Sequence, residues 1–182
     1  MAKYMKRTAL STLILTALFT GVYFFTKADI LLSLAITAGT FAYHFGMRLL
    51  VGTALNAILH NRADHTRRWF QPRPFEANLY RTLRVKRWKD RLPSYDPSLF
   101  SVTLRTPEAI LGASCQAEVV HEIIIPLSFL PLLAAIPFGS FPVFLTTSLL
   151  SAGFDSLFVV LQRYNRPRLL RYCRQSTSAE SE

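Results

Sequence analysis

The chain has 182 residues, 51% of them hydrophobic, with a mean hydropathy of +0.25 and a formal net charge of +10. The apolar residues gather in four blocks of about 20, each long enough to cross a bilayer, which excludes an ordinary water-soluble domain. The basic residues sit between those blocks in alternating positive and neutral stretches, a pattern of membrane orientation and not of nucleic-acid binding.

The first block, 8–26, follows Lys3, Lys6 and Arg7. It is longer than the apolar core of a signal peptide and no small-x-small site closes it, so an uncleaved first helix is expected. Lys27-Ala28-Asp29 makes a charge-balanced turn into the second block, 30–50, which is predicted to continue towards His60. A basic segment follows, 61–112, with eleven Arg and Lys. That is too long for a plain connector. Within it, Gln71-Pro72-Arg73-Pro74 resists helix. Phe75, Leu79, Tyr80 and Leu83 then fall on one face of a predicted interfacial amphipathic helix. The stretch Leu92 to Pro97 is rich in turn formers, and Thr106-Pro107 reads as a helix start with Thr as cap and Pro in the first turn.

That helix is predicted to run into the third block, 118–136, with bends near Pro126 and Pro131. The Pro137–Pro142 turn is uncharged. The fourth block, 139–161, leads to Gln162-Arg163-Tyr164-Asn165-Arg166-Pro167-Arg168, and a polar tail occupies 175–182. The fold class read from this pattern is an all-α membrane protein, one integral domain over 1–182, with four transmembrane helices. Both termini and the basic interfacial segment between spans two and three are expected in the cytoplasm. The expected location is the cell membrane, multi-pass. Cys115 and Cys173 fall near the cytoplasmic side, where thiols stay reduced, and no metal-type spacing joins them.

Polar residues inside such spans are costly and therefore informative. His44, Arg48, Asn56 and His60 recur at multiples of four, with Gly52 completing the stripe. Glu118, His121 and Glu122 share a face at the start of span three, and Ser148, Ser151, Asp155 and Gln162 share one on span four. At 1.5 Å per residue, Asp155 lies roughly 10 Å inside the membrane from Gln162. The three faces are predicted to meet in one layer near the inner headgroups, as a polar pocket open to the cytoplasm and sideways to lipid. The competing reading has His44 and Arg48 snorkelling and Asp155 pairing with Arg48 or Arg163 for structure alone.

Several motifs fail. His60-x-x-x-Asp64 is one residue short of the His-x4-Asp acyltransferase signature. His121-Glu122 lacks a second His because Ile125 stands in its place, and Glu118-x-x-His121 has no second copy to complete a di-iron site. No metal ligands are assigned. What remains is a Glu and a His one turn apart, a pair suited to general-base work: Glu118 orienting His121, and His121 taking a proton from a hydroxyl. No Ser or Cys nucleophile is clearly paired with this His, so direct attack by an acceptor hydroxyl on an activated acyl group fits best. Nearby Arg and Asn suit an acyl donor's phosphates or an oxyanion.

Three stretches carry a family resemblance: Ala117-Glu118-Val119-Val120-His121; Val85-Lys86-Arg87-Trp88-Lys89 followed by Leu92-Pro93; and Gln162 to Arg168. Together, from roughly Phe75 to Leu170, the chain resembles glycosyl-4,4'-diaponeurosporenoate acyltransferase. The resemblance implies transfer of a fatty acyl group onto a hydroxyl of a lipid-linked or glycosylated acceptor, such as the sugar of a carotenoid glycoside. His121 and Glu118 are the expected catalytic residues. Arg163, Asn165, Arg166, Gln162, Trp88, Lys89, His44, Arg48 and Asp155 are the expected substrate-binding residues. No resident cofactor is expected; acyl-coenzyme A or acyl-carrier protein would be the co-substrate. The expected partners are the acceptor lipid, the acyl donor and the membrane, with no nucleic acid. A methyltransferase or reductase of the inner membrane, or a non-catalytic lipid-binding protein, are the rival readings.

Overall fold

The structure, a computed structural model, describes residues 2–180, with side chains described for 2–175. The described residues are helical throughout, joined by turns: α1 (Ala2–Thr26), α2 (Asp29–Leu59), α3 (Glu76–Thr82), α4 (Val85–Trp88), α5 (Pro107–Leu127), α6 (Ala135–Phe138) and α7 (Phe141–Glu180), with short 3-10 turns between them. Four stretches are long and apolar enough to span a membrane: Ala2–Thr26, Asp29–Leu59, Pro107–Phe138 and Phe141–Gln175.

Each helix outruns the apolar block that announced it. Hydropathy marks where a helix meets lipid, while the i→i−4 hydrogen-bond ladder continues into polar sequence. So α1 starts at Ala2 and not at 8, α5 starts at Pro107 and not at 118, and α7 passes through Pro167, two turns beyond 161, to Glu180. The polar tail read at 175–182 enters this helix as far as 180; its side chains beyond 175 and residues 181–182 lie outside the described residues. The break after span three falls where the prolines put it. Pro126 has no N–H to give, the α-helix ends at Leu127, and a 3-10 turn over Leu130–Ala134 with Pro131 in its first turn leads to α6. Gly139 (φ 68°) and Ser140 (φ 54°) then reverse the chain into α7.

Contacts divide the chain into two compact units, 1–53 with 124–153, and 54–123 with 154–182; the division falls within α2, α5 and α7. In the first unit α1 buries no described side chain, and Leu10, Leu13, Ile14 and Leu18 are exposed, as a lipid-facing helix requires. Small residues permit close helix approach: Ala35 and Ala38 are buried, and a Cβ on Gly39 would stand 3.4 Å from Cγ2 of Thr16. Several of its polar groups are tied to nearby oxygens. Tyr43 Oη donates to the Leu127 carbonyl (2.7 Å), and Arg48 donates to the His44 carbonyl (3.2 Å) and to Ser151 Oγ (2.9 Å), which is also 3.0 Å from Ser128 Oγ.

The second unit is built around Ala63, Phe70 and Cys115, with Leu59 and Val119 against them. Gln71 to Pro74 is non-helical, as four residues with two prolines dictate, and the chain then enters α3. Of the apolar face assigned to that helix, Phe75 and Leu83 are exposed; the residue α3 buries is Glu76. Arg84 in the left-handed region (φ 49°) separates α3 from α4, whose Val85 is fully buried. Asp96 accepts from the Ser98 N–H and Oγ, which caps the next turn and holds its carboxyl below the usual range. Thr106 Oγ1 accepts from Ala109 N–H (3.3 Å), the expected cap of α5.

Candidate functional site

The site lies in the second unit, where residues 114–122 of α5, residues 155–166 of α7 and the strap 69–76 bring polar side chains together. Glu118 and His121 occupy one face of α5, three residues apart. On α7, Asp155, Gln162 and Arg166 follow spacings of seven and four, the repeat that keeps side chains on one side of a helix. Glu118 and Asp155 are fully buried, and Arg166 is 2% exposed.

His121 Nδ1 lies 2.8 Å from Asp155 Oδ1, with 21% of the histidine side chain exposed. Its ring stacks on Phe158 at 4.6 Å and an interplanar angle of 11°, and Phe154 meets Phe158 edge-on. A carboxylate facing Nδ1 selects the tautomer in which Nδ1–H donates, so the basic lone pair is on Nε2. Among the described residues no side chain or carbonyl is bonded to Nε2. Phe158 fixes the plane of the ring and Asp155 its rotation about that plane.

Glu118, expected to orient His121, is engaged elsewhere. Its Oε1 accepts from Arg163 Nη1 (2.6 Å) and its Oε2 from Arg166 Nη2. Two guanidiniums one turn apart offer two charge-assisted bonds, stronger than a bond to an imidazole on its own helix. Asp155 takes the position beside His121 instead. Arg163 also bonds Glu76 Oε1 through Nε (2.8 Å) and Nη2 (2.6 Å), the Trp69 carbonyl (3.3 Å) and the Gln71 carbonyl (3.1 Å). Those five bonds use all five donors of a guanidinium. Arg166 donates to the Phe70 carbonyl (3.2 Å) and packs its guanidinium over the Phe70 ring. Two arginines and two glutamates thus form a charge-balanced buried cluster that clasps the strap.

Around it, Ser114 Oγ donates to Gln162 Oε1 (2.8 Å) and Trp69 Nε1 to Glu122 Oε2 (2.7 Å). Tyr80 Oη donates to Glu76 Oε2 (2.8 Å), its ring meets Tyr164 edge-on, and burial together with that bond pushes its phenol well above the ordinary range. Asn165 is half-buried on α7 beside the cluster. Trp88 Nε1 donates to the Leu83 carbonyl (2.9 Å) and Lys89 bonds its neighbour Asp90 (2.5 Å); His44 and Arg48 belong to the first unit.

Glu76, Trp69 and Phe158 were not singled out in the sequence, and Tyr80 stood out only as part of the apolar face of an interfacial helix. Glu76 looked like an ordinary acidic residue in a first helical turn, favourable for the helix dipole alone. The available signals were its i, i+4 spacing to Tyr80 and the i, i+4 aromatic pair Phe154/Phe158 flanking Asp155.

A family model described as glycosyl-4,4'-diaponeurosporenoate acyltransferase matches residues 66–175. The match begins just ahead of the strap and contains His121, Asp155 and the whole arginine–glutamate cluster; residues 1–65, with His44 and Arg48, lie outside it. No curated protein and no solved structure matches the chain.

Proposed function

Because the chain belongs to the glycosyl-4,4'-diaponeurosporenoate acyltransferase family, we propose that it transfers a fatty acyl group from a thioester donor to a sugar hydroxyl of a glycosylated lipid, with His121 as general base and Asp155 as the residue that positions it. The observation that carries this reading is the 2.8 Å His121–Asp155 pair, with Nε2 bonded to none of the described residues and the ring partly exposed. The hydroxyl oxygen attacks the thioester carbonyl carbon as its proton passes to Nε2. The C–O bond forms, the C–S bond breaks, and the proton passes from the imidazolium to the departing thiolate. Asp155 stabilises the imidazolium between those two transfers.

The surroundings suit a lipid acceptor. Phe158 stacks on His121 and meets the exposed Phe154 edge-on, so the ring stands against an apolar surface along which the acceptor's tail stays in the bilayer while its sugar reaches the imidazole. Arg163 and Arg166 act on the strap and not on the substrate, with Glu118 as their counter-charge. The orientation that goes with this reading has both termini and the site on the cytoplasmic side of the cell membrane.

The test is lipid mass spectrometry of membranes containing the full chain. The unmodified protein adds an acyl mass increment to its acceptor. His121→Ala lowers the initial rate by about 10²–10⁴-fold, and Asp155→Asn, which favours the wrong tautomer, falls in the same range. Full activity in His121→Ala, or a methyl or hydride mass change in place of the acyl increment, overturns the reading.

A further inference from the structure

With Arg163 and Arg166 turned inward, the guanidiniums available to a ligand are elsewhere in the second unit. A cavity of about 520 Å³ opens between the loop that follows α2 and the start of α5. Its volume falls in the range of small-molecule sites, roughly 300–1,000 Å³. His60, Arg62 and His65 line one side, Arg105 and Glu108 the other, and Gly112 the floor. Among the described residues neither Arg62 nor Arg105 forms an ion pair or a side-chain hydrogen bond, and both are exposed. Asp64, also on the lining, is already engaged. It accepts from the N–H (3.0 Å) and Oγ1 (2.7 Å) of Thr66 and faces Arg67 at 3.8 Å. Glu108 is a second acidic residue on the lining, in the first turn of α5, where the helix dipole tolerates it.

The cavity wall is preformed. His60 (φ 49°) and Asn61 (φ 59°) both adopt the left-handed region, and the chain is locked there from α5. Gln116 Oε1 accepts the Asn61 N–H (2.7 Å), and Gln116 Nε2 donates to Asn61 Oδ1 (3.1 Å) and Asn56 Oδ1 (3.3 Å). Gly112 allows the loop to lie directly on the helix, since a Cβ there would come within 3.0 Å of the Asn61 carbonyl oxygen. A fixed wall with two uncommitted guanidiniums and two imidazoles recognises phosphate groups.

We infer that this cavity binds the phosphate end of the acyl donor, as a coenzyme A thioester, and so determines which donor the enzyme accepts. The inference rests on the acyl-transfer reading above. Gly112 and Ala113 precede His121 by nine and eight residues on α5, ~12–14 Å along the axis and about a quarter to half a turn around it. A pantetheine arm has the reach of four or five extended residues, roughly 15 Å, so it has to run around α5 to bring its thioester to His121 while the nucleotide phosphates stay in the cavity.

The experiment uses the full chain in nanodiscs of phosphatidylcholine, titrated with free coenzyme A. Saturable binding is expected, weakened about tenfold or more by Arg62→Gln with Arg105→Gln, and weakened by added salt. Glu108→Gln, which removes one of the two acidic charges on the lining, tightens it. His121→Ala binds coenzyme A as the parent does, which separates this result from the catalytic test. The donor site can therefore fail while acyl transfer stands. Absent binding to the parent overturns the inference, and so does unchanged affinity in the double variant. Two further results overturn it in favour of another source of the same phosphate chemistry. One is loss of anionic phosphatidylglycerol capture in the double variant with coenzyme A affinity intact; the other is transfer from acyl-carrier protein alone.

Discussion

The two units handle buried polarity differently. In the first, Tyr43 donates to the Leu127 carbonyl and the Ser128 and Ser151 hydroxyls lie 3.0 Å apart, so these neutral groups bond neutral oxygens. In the second, two guanidiniums and two carboxylates are joined in one cluster, and its central carboxylate, Glu118, is fully buried. Neutral partners cost little to arrange and contribute little, since hydrogen bonds inside membranes average about 0.6 kcal/mol. A buried ionic cluster is unforgiving in one direction: removing a single member strands the others. The second unit is therefore the one whose shape depends on specific residues, and it also holds the proposed chemistry.

The sharpest test of that difference is Glu118→Ala. It leaves Arg163 and Arg166 side by side with Glu76 as their remaining carboxylate, and should destabilise the protein by about 3–5 kcal/mol, measured by thermal unfolding in detergent. A change as small as that of a surface substitution would show that the cluster does not hold the unit together. Next is Gly112→Ala. The added methyl meets the Asn61 carbonyl at 3.0 Å, and displacing a locked loop should cost about 1–3 kcal/mol, accompanied by weaker coenzyme A binding.

Tyr80→Phe removes one hydrogen bond to Glu76 and should cost about 1 kcal/mol. Its pH dependence has a definite sign. Burial raises the folded phenol above its ordinary value of 10.0, so the contribution is fully present below that value and is lost as pH rises through the higher folded one. The stability difference between the parent and Tyr80→Phe should stay flat from pH 7 to 9. The smallest effect belongs to the first unit: Tyr43→Phe should cost about 0.6 kcal/mol. An effect there as large as that of Glu118→Ala would erase the contrast between the units.

Much of this was legible before any coordinates. The four apolar blocks, the Pro126 and Pro131 break, the non-helical Gln71–Pro74 entry and the Thr106 cap are local properties, set by hydropathy, a missing N–H or a hydroxyl at the right position. His121, Glu118, Asp155 and Arg163 were legible as unusual residues, because charge in an apolar helix is expensive wherever it lies. Their partners were not legible. The His121–Asp155 contact joins residues 34 apart in the chain, Arg166–Glu118 residues 48 apart, and Arg163–Glu76 residues 87 apart. Helical spacing can say that Glu118 and His121 share a face of α5. It cannot say which side chain of α7 meets which of them.

The amino-acid order by itself determined an all-helical chain with four membrane-length segments, its family, and the small set of polar residues worth attention, since each follows from local composition and motif. Tertiary structure decided how those residues are used. It set Asp155 and not Glu118 beside His121, turned Arg163 onto the strap through Glu76 and Arg166 onto it through the Phe70 carbonyl, and left Arg62 and Arg105 as open donors at a cavity. The physical reason is that a carboxylate or guanidinium goes to the strongest set of hydrogen bonds within reach, and reach is decided by helices packing across long stretches of chain.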